Sequence, residues 1–311
     1  MMKNNFKIGV CSRSFSLNTT LKNELNSFFS NVKYNENGDK LNGDSLINFL
    51  FDCDFAITAL EQIDEKVLSK LPNLKLISKY GVGTDMIDFN ALNKFGVDFH
   101  WEGGVNKRSV AELTITFALL LVRNIPIMQN NLKNEVWQQS KGTLLTNKKF
   151  GIIGCGHIGK DLIKLLKPFN CDILVHDILE YTDYYEENNV KKVDLDYLLA
   201  NSDIISLHIP LNNTTKNLLS MDKLSLLQSH AILINTSRGG IVDELYLKEI
   251  LMNNKIGGAA FDVFNSEPPN NYELFKLQNF YSTPHIGGSS NEAILAMGRS
   301  AIEGLVKYAK I

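Results

Sequence analysis

Short apolar runs alternate with amphipathic segments along the chain. The apolar runs predict strands at 7–10, 55–58, 74–78, 97–100, 149–153, 172–176, 204–208, 231–235 and 259–262. Between them, apolar positions recur at helical spacing and each segment opens on an aspartate. This pattern predicts helices at 64–70, 88–95, 194–201, 222–228 and 243–253. Strands that alternate with helices are typical of an α/β fold with parallel sheets.

Two longer helical patterns indicate how the chain is divided. One covers about 107–123 and follows Gly103-Gly104, and the other covers about 291–310 and follows Gly287-Gly288. Glycine pairs permit sharp changes of direction. We therefore predict a discontinuous substrate domain of residues 1–102 plus 287–311 and an inserted nucleotide-binding domain of residues 103–286, with a catalytic cleft between them. The polar stretch 181–189 predicts an exposed loop.

Composition excludes several classes of protein. The 311 residues suffice for two domains with cores, and 44% hydrophobic with 21% charged residues is typical of globular proteins. A formal charge of −2 gives no reason to expect a nucleic-acid or membrane partner. The four cysteines form no CxxC pair, residues 1–10 lack the apolar core of a secretory signal, and the apolar stretch 113–122 is too short for a membrane span. We predict a cytoplasmic location and no metal site.

A glycine motif follows the predicted strand 149–153. The sequence Gly154-Cys155-Gly156-His157-Ile158-Gly159 opens a helical pattern, and Asp177 stands at the end of the next predicted strand. This context is that of a Rossmann nucleotide site, in which glycines admit the pyrophosphate and the acid binds the ribose hydroxyls. Asp177 favours NAD, because the 2′-phosphate of NADP would meet its carboxylate; the alternative is a solvated strand-end acid. Cys155 stands near a helix N-terminus, a place that favours thiolates.

Three residues downstream have the chemistry for reversible oxidation of a 2-hydroxy acid. Arg238 lies in Asn-Thr-Ser-Arg-Gly-Gly, Glu267 in Asn-Ser-Glu-Pro-Pro, and His285 in Thr-Pro-His-Ile-Gly-Gly. A histidine moves the hydroxyl proton in either direction, a carboxylate orients and stabilises its ring, and an arginine binds a carboxylate through two hydrogen bonds. Each residue alone has a structural alternative; the order of all three after a nucleotide motif favours catalysis. His208 is expected to be structural, and His100, His157, His176 and His230 have no acid partner identifiable from the sequence.

From about residue 75 onward these motifs resemble the D-isomer-specific 2-hydroxyacid dehydrogenase family. The resemblance implies two doubly wound parallel-sheet lobes, the larger a Rossmann domain and the smaller flavodoxin-like. It implies an NAD-dependent enzyme that interconverts a D-2-hydroxy acid and its 2-keto acid, and a homodimer formed through the 107–123 region. It also implies cofactor contacts from Gly154, Gly156, His157, Ile158, Gly159, Asp177, Ile209, Pro210, Thr236, Ser237, Asp262 and Gly288, and substrate contacts from Lys79, Gly81, Val82 and Gly83.

Three departures and two alternatives accompany the resemblance. The first sixty residues match weakly, Trp101-Glu102 is bulkier and more charged than in relatives, and His157 replaces a longer cation. One alternative is 3-phosphoglycerate dehydrogenase of the short form, for which no regulatory domain is expected after Ile311. The other is an NAD-sensing binding protein that resembles the C-terminal binding protein corepressors, although no peptide-docking extension is evident.

The sequence gives opposing indications on a phosphorylated substrate. Lys79, Lys107 and Arg108 offer cations, although the last two are equally compatible with solvated positions in the first turn of a helix. Glu61, after the predicted strand 55–58, would repel a phosphate dianion if it faced the substrate. We therefore expect no strong preference for 3-phosphohydroxypyruvate over an unphosphorylated 2-keto acid.

Overall fold

The computed structural model describes residues 4–311. Residues 1–3, which belong to the N-terminal segment for which no secretory signal is predicted, lie outside this range. The described chain forms two compact units. The first unit comprises the residues up to Asn106 together with Gly288–Ile311, and the second unit comprises Lys107–Gly287. The assignment of substrate and nucleotide binding to residues 1–102 plus 287–311 and to residues 103–286 stays a prediction.

Strands and helices alternate as the apolar pattern predicts. The strands are β1 (Asn4–Val10), β2 (Phe29–Tyr34), β3 (Phe55–Thr58), β4 (Leu76–Lys79), β5 (Asp98–His100), β6 (Lys149–Ile153), β7 (Asp172–His176), β8 (Val190–Lys192), β9 (Ile204–Leu207), β10 (Ile232–Asn235), β11 (Gly258–Phe261) and β12 (Phe280–Ser282). The helices are α1 (Arg13–Leu17), α2 (Thr19–Phe28), α3 (Gly43–Leu50), α4 (Glu65–Leu68), α5 (Phe89–Phe95), α6 (Lys107–Val122), α7 (Ile125–Lys133), α8 (His157–Leu166), α9 (Thr182–Glu187), α10 (Leu195–Asn201), α11 (Met221–Leu224), α12 (Glu244–Met252) and α13 (Asn291–Ala309). Short 3₁₀ turns cover Lys167–Phe169 and Leu274–Lys276.

Each unit is built on one parallel sheet. In the first unit the strand order is β2-β1-β3-β4-β5, which is the flavodoxin-like order. In the second unit the order is β12-β11-β10-β9-β6-β7-β8, and the order reverses between β6 and β9 as in a Rossmann sheet. The predicted α/β class with two doubly wound lobes is confirmed. Ligands of such sheets bind beyond the carboxyl ends of the strands at the reversal point.

The core of each unit lies on both faces of its sheet. All four residues of β3, β9, β10 and β11 are buried, as expected of parallel strands covered by helices on both sides. Helix α6 packs Ala111, Phe117 and Ala118 into the same cluster as Phe150 and Leu162 of the second unit. The apolar sequence of α6 is therefore explained by the burial of this helix in the core of the second unit.

Two expectations about local structure are wrong, and two edge strands were not predicted. The predicted exposed loop at 181–189 contains helix α9, because Tyr185 is buried and provides an anchor that a polar sequence hides. The helix predicted to open at Asp222 begins after Ser220 and ends at Leu224. The edge strands β2 and β8 were missed, since their exposed positions interrupt the apolar pattern.

No single helix in residues 4–311 is long and apolar enough to cross a membrane. Helices α6 and α7 are long and apolar enough only when they are counted together, and their axes are bent by 65° at the break between them.

Candidate active site

The glycine loop connects β6 to α8 at the point where the second sheet reverses. Gly154 has φ 100°, and a β-carbon there would lie 2.5 Å from the carbonyl oxygen of His208. A β-carbon at Gly159 would overlap the carbonyl oxygen of Gly154. At Gly156, the N-cap of α8, an added β-carbon would meet nothing within 4 Å. The first and third glycines are therefore needed for packing, while the second leaves open space before the helix N-terminus, which suits a pyrophosphate.

Asp177 is fixed beside this loop. Its Oδ2 accepts the amide N–H of Cys155 at 2.5 Å, and its Oδ1 accepts that of Leu179 at 2.8 Å. Each carboxylate oxygen has a second lone pair. Asp177 can therefore hold the loop and still accept from ribose hydroxyls, so the residues present fit a dinucleotide.

Cys155 differs from the expectation of a thiolate. The residue is fully buried, and burial raises the pKa of its thiol to about 11. The thiol is thus protonated at neutral pH, because desolvation outweighs the nearby helix N-terminus.

The other predicted cofactor residues of the second unit surround the same strand ends. His157 and Ile158 open α8, and Ile209-Pro210 follow β9. Thr236 and Ser237 follow β10 and are buried. The hydroxyl of Thr236 lies 3.0 Å from that of Thr114 on α6, and the hydroxyl of Ser237 donates to Asn235 at 2.8 Å. Gly288 belongs to the first unit. Their contacts with a cofactor stay predictions.

His285 and Glu267 form a hydrogen-bonded pair. His285 Nδ1 lies 2.6 Å from Glu267 Oε2, and both side chains are partly exposed. The second oxygen of Glu267 accepts the amide of Phe264 at 3.1 Å. The hydrogen bond to Glu267 raises the pKa of His285 above its ordinary value, against the opposing effect of burial. Burial alone would raise the pKa of Glu267, but the bond and positive charge of His285 bring it below its usual value. In such a pair the imidazole can take up and release a proton while the carboxylate stabilises its charged form.

Asp262 organises the turn that carries the histidine. This buried carboxylate, after β11, accepts from the Thr283 hydroxyl at 2.6 Å and from the amides of Ile286 and Gly287, each at 2.7 Å. The backbone of His285 has φ 55°, a conformation rare outside glycine. Its amide donates to the carbonyl of Asp262 at 2.9 Å. Asp262 was predicted as a cofactor residue; its part in fixing this turn was missed, since only the folded chain brings these groups together.

Arg238 follows β10 and lies in the electrostatic reach of the pair. Its Nη1 donates to the carbonyl of Ser237 at 2.7 Å, and its own carbonyl accepts from Asn235 Nδ2 at 2.9 Å. Its positive charge contributes to lowering the pKa of both Glu267 and His285. The structure therefore brings together the three residues that the sequence singled out for catalysis.

Two other histidines, His208 and His230, differ from His285. The ring of His208 accepts or donates only to Ser206 at 2.9 Å, and burial lowers its pKa to about 3, so it is neutral at physiological pH. His230 does have an acid partner, contrary to expectation: its Nε2 lies 2.9 Å from Asp203 Oδ1. Asp203 precedes β9, so this pair is at the amino ends of the strands, opposite the glycine loop.

In the first unit, the predicted substrate loop follows β4. Lys79 is buried and its Nζ donates to the carbonyl of Ala59. Glu61 accepts the amide of Ala59 at 2.5 Å, and burial raises the pKa of Glu61. Gly81 has φ 125°, and Trp101 Nε1 donates to the carbonyl of Val82 at 2.8 Å. The bulky Trp101 thus supports this loop, which also contains Gly83. Glu61 and Lys79 both bind the backbone of Ala59, Glu61 at its amide and Lys79 at its carbonyl.

One proposed phosphate ligand has another partner. Arg108 binds Asp161 of α8 through two hydrogen bonds, at 2.7 Å and 3.1 Å, and Asp161 is buried. The guanidinium is committed to an ion pair within the second unit, because withdrawing it would leave a buried carboxylate without its countercharge.

The fold and the glycine loop define a Rossmann-type dinucleotide-binding protein. Residues 115–287 match the model of the D-isomer specific 2-hydroxyacid dehydrogenase, NAD binding domain. The chain is similar to D-3-phosphoglycerate dehydrogenase of Archaeoglobus fulgidus, with 36% identity over 80% of this chain and 48% of that relative. It is equally similar to glyoxylate reductase of Thermococcus litoralis, with 36% identity over 80% of this chain and 78% of the relative.

A solved structure of a D-isomer specific 2-hydroxyacid dehydrogenase family protein from Polaromonas superimposes with a TM-score of 0.90 at 26% identity, covering 99% of this chain and 97% of that one. The chain belongs to the D-isomer-specific 2-hydroxyacid dehydrogenase family, and its second unit contains the NAD-binding domain of that family. It spans about half the length of the Archaeoglobus relative.

Proposed function

We propose that this protein is an NAD-dependent oxidoreductase that interconverts a D-2-hydroxy acid and its 2-keto acid. The observation that carries the proposal is the 2.6 Å hydrogen bond between His285 and Glu267, with the charge of Arg238 acting on both. These residues stand in the unit that contains the glycine loop and Asp177. Family membership supports the reaction class.

The chain's own residues supply binding and proton transfer. NAD, when bound, accepts or returns the hydride. Because Glu267 engages Nδ1, the Nε2 atom of His285 removes the hydroxyl proton during oxidation and delivers it during reduction. Glu267 fixes the ring and stabilises the imidazolium, and Arg238 binds the substrate carboxylate through its planar guanidinium. Gly154, Gly156, Gly159 and Asp177 would hold the pyrophosphate and ribose.

The loop of Lys79, Gly81, Val82 and Gly83 in the first unit is a second candidate for binding the substrate carboxylate. The positive φ of Gly81 permits a turn in which consecutive amides can point toward one anion. The buried ammonium of Lys79 adds a fixed positive charge behind it.

We infer an unphosphorylated substrate. Arg108 is engaged by Asp161, and Glu61 places a carboxylate on the backbone of Ala59, the same residue that Lys79 binds. Both features reduce the positive charge available to a phosphate. The alternative, 3-phosphoglycerate dehydrogenase activity, is favoured by the similarity to the Archaeoglobus relative named for that activity.

The test is a screen of 2-keto acids with NADH that includes hydroxypyruvate, glyoxylate and 3-phosphohydroxypyruvate. We expect turnover of at least one unphosphorylated acid. Its kcat/KM should exceed that of the phosphorylated compound or fall below it by no more than about a hundredfold, which corresponds to about 2.7 kcal/mol. A larger preference for 3-phosphohydroxypyruvate would establish the alternative. Tight NADH binding without turnover of any acid would instead favour the NAD-sensing binding protein.

We further propose a cytoplasmic homodimer without nucleic-acid or membrane partners. All four cysteines are free thiols, which is typical of a reducing compartment. Beside the predicted dimer region, 107–123, helix α7 buries none of its residues. An apolar surface left uncovered by the chain's own fold suits a second copy of the chain.

A further inference from the structure

The peptide segment Phe264-Asn265 is a junction between the loops of the proposed site. The amide of Phe264 donates to Glu267 at 3.1 Å. A β-carbon at Gly239, next to Arg238, would overlap the carbonyl oxygen of Phe264 and lie 2.6 Å from the nitrogen of Asn265. The backbone behind Arg238 therefore packs directly on the segment that fixes Glu267. Any displacement of this segment would move both loops.

A second carboxylate holds this junction. Glu244 is the first residue of α12, after the N-cap Asp243, and is half-buried. Its Oε1 accepts the amide N–H of Asn265 at 2.8 Å. Two consecutive amides thus point to two different carboxylates, that of Phe264 to Glu267 and that of Asn265 to Glu244. The second bond thus connects α12 to the segment whose other amide binds Glu267, the partner of His285.

We propose that Glu244 is a positioning residue for the proton-transfer pair: it anchors the Phe264-Asn265 segment, and its negative charge strengthens the hold of Glu267 on His285. The proposal rests on the proposed function. It assigns a role to a residue that touches neither substrate nor cofactor and acts only through Glu267.

The charges around the pair fix the sign of the effect. The carboxylates of Glu267 and Asp262 raise the pKa of His285, and Arg238 lowers it. Burial raises the pKa of Glu244, and the charge of Glu267 raises it further, so the two carboxylates repel each other. A neighbouring negative charge makes Glu267 a stronger acceptor and favours the imidazolium. Removal of the charge of Glu244 should therefore lower the pKa of His285.

Two substitutions separate anchoring from charge. Glu244→Gln keeps an oxygen that can accept from Asn265 and removes the charge, while Glu244→Ala removes both. Glu249→Gln is the matched control, since Glu249 is an exposed carboxylate on the same helix. In keto-acid reduction, which needs protonated His285, activity is lost as pH rises through its pKa. We expect Glu244→Gln to move this loss to lower pH by roughly half a unit. Glu244→Ala should show the same shift and a turnover lower by about tenfold, and Glu249→Gln should show neither.

The protonation of His285 can also be measured without substrate. The imidazole signals of the histidine-labelled protein are followed by NMR against pH, with the His285 signal identified by its loss in His285→Gln. A lower midpoint in Glu244→Gln than in the unmodified protein and Glu249→Gln supports the proposal, even if no keto acid is turned over and the proposed function fails. An unchanged midpoint in Glu244→Gln overturns it, whatever the turnover, because an anchoring role alone does not move a titration.

Discussion

At the scale of single residues, the proposed site is held in a conformation that the chain must enforce. His285 has φ 55°, a region that side chains with a β-carbon avoid, and a buried carboxylate, Asp262, clamps the residues on both sides of it. Strained backbone at a reactive residue persists only where surrounding bonds determine it. The clamp presents the imidazole toward Glu267 with little freedom, which is what proton transfer requires.

Replacement of His285 tests the proton-transfer role. We expect His285→Ala to lower kcat by about a hundredfold or more, the usual range for loss of a positioned acid–base group, with little change in the Kd for NADH. His230→Ala is the matched control, because His230 also pairs with a carboxylate, that of Asp203, but at the opposite ends of the strands. Steady-state kinetics and NADH fluorescence titration measure both quantities. Near-normal turnover in His285→Ala would remove this residue from the mechanism.

Arg238 is tested by keeping its charge and removing its planar fork. Arg238→Lys should raise KM for the keto acid and lower kcat, since a single ammonium cannot form the two parallel hydrogen bonds of a guanidinium. We expect kcat/KM of Arg238→Lys to fall by about tenfold or more. Arg299→Lys is the control and should leave kcat/KM unchanged, because Arg299 forms a surface pair with Glu24. If KM is unchanged in Arg238→Lys, the residue does not bind the substrate carboxylate.

At the scale of elements, the buried strands and the edge strand β5 could be predicted from the sequence, but the edge strands β2 and β8 could not. The bounds of β3, β6 and β7 agree with the prediction, because each is an apolar run between polar residues. The strand β2 has a mostly exposed face, so its sequence lacks that signal. Helix α9 was missed for a related reason: tertiary burial of Tyr185, not periodicity, stabilises it.

The residues of the candidate site likewise fall into those that the sequence could identify and those that it could not. Local motifs identify the glycine loop, Arg238, Glu267 and His285, since each lies in a short pattern with its own physical reason. The bonds of Asp262 and Glu244 to distant amides depend on how β11, α12 and their loops meet, which spacing does not reveal. Asp203 was likewise not identifiable as the partner of His230, 27 residues away.

Asp177 tests the glycine loop as an element. Asp177→Ala should relax the preference for NADH, because the carboxylate that repels a 2′-phosphate is lost; we expect the NADPH-to-NADH ratio of kcat/KM to rise about tenfold or more. The same change releases the amides of Cys155 and Leu179, so the Kd for NADH should also rise. Asp177→Asn, which keeps one acceptor oxygen, should relax the preference with less loss of NADH affinity. A preference for NADPH in the unmodified protein would contradict this assignment.

At the scale of the whole molecule, the segment after α6 carries several exposed apolar side chains. Ile125, Leu132, Val136, Trp137 and Leu144 are all exposed, and Trp137 retains 85% of its accessible surface. In a twofold dimer, these exposed apolar side chains would be covered by the same segment of a second copy. This surface continues the 107–123 region predicted for dimerisation.

The oligomeric state tests this surface directly. We expect the unmodified protein to sediment at twice its chain mass of 34.9 kDa. Trp137→Asp should shift the equilibrium toward the monomer, because a carboxylate buried in an apolar interface costs several kcal/mol. Phe51→Asp is the matched control, a large exposed apolar residue of the first unit. Sedimentation velocity across a range of concentrations distinguishes the outcomes: a monomer throughout, or a dimer equally stable in Trp137→Asp, would show that this segment is not the interface.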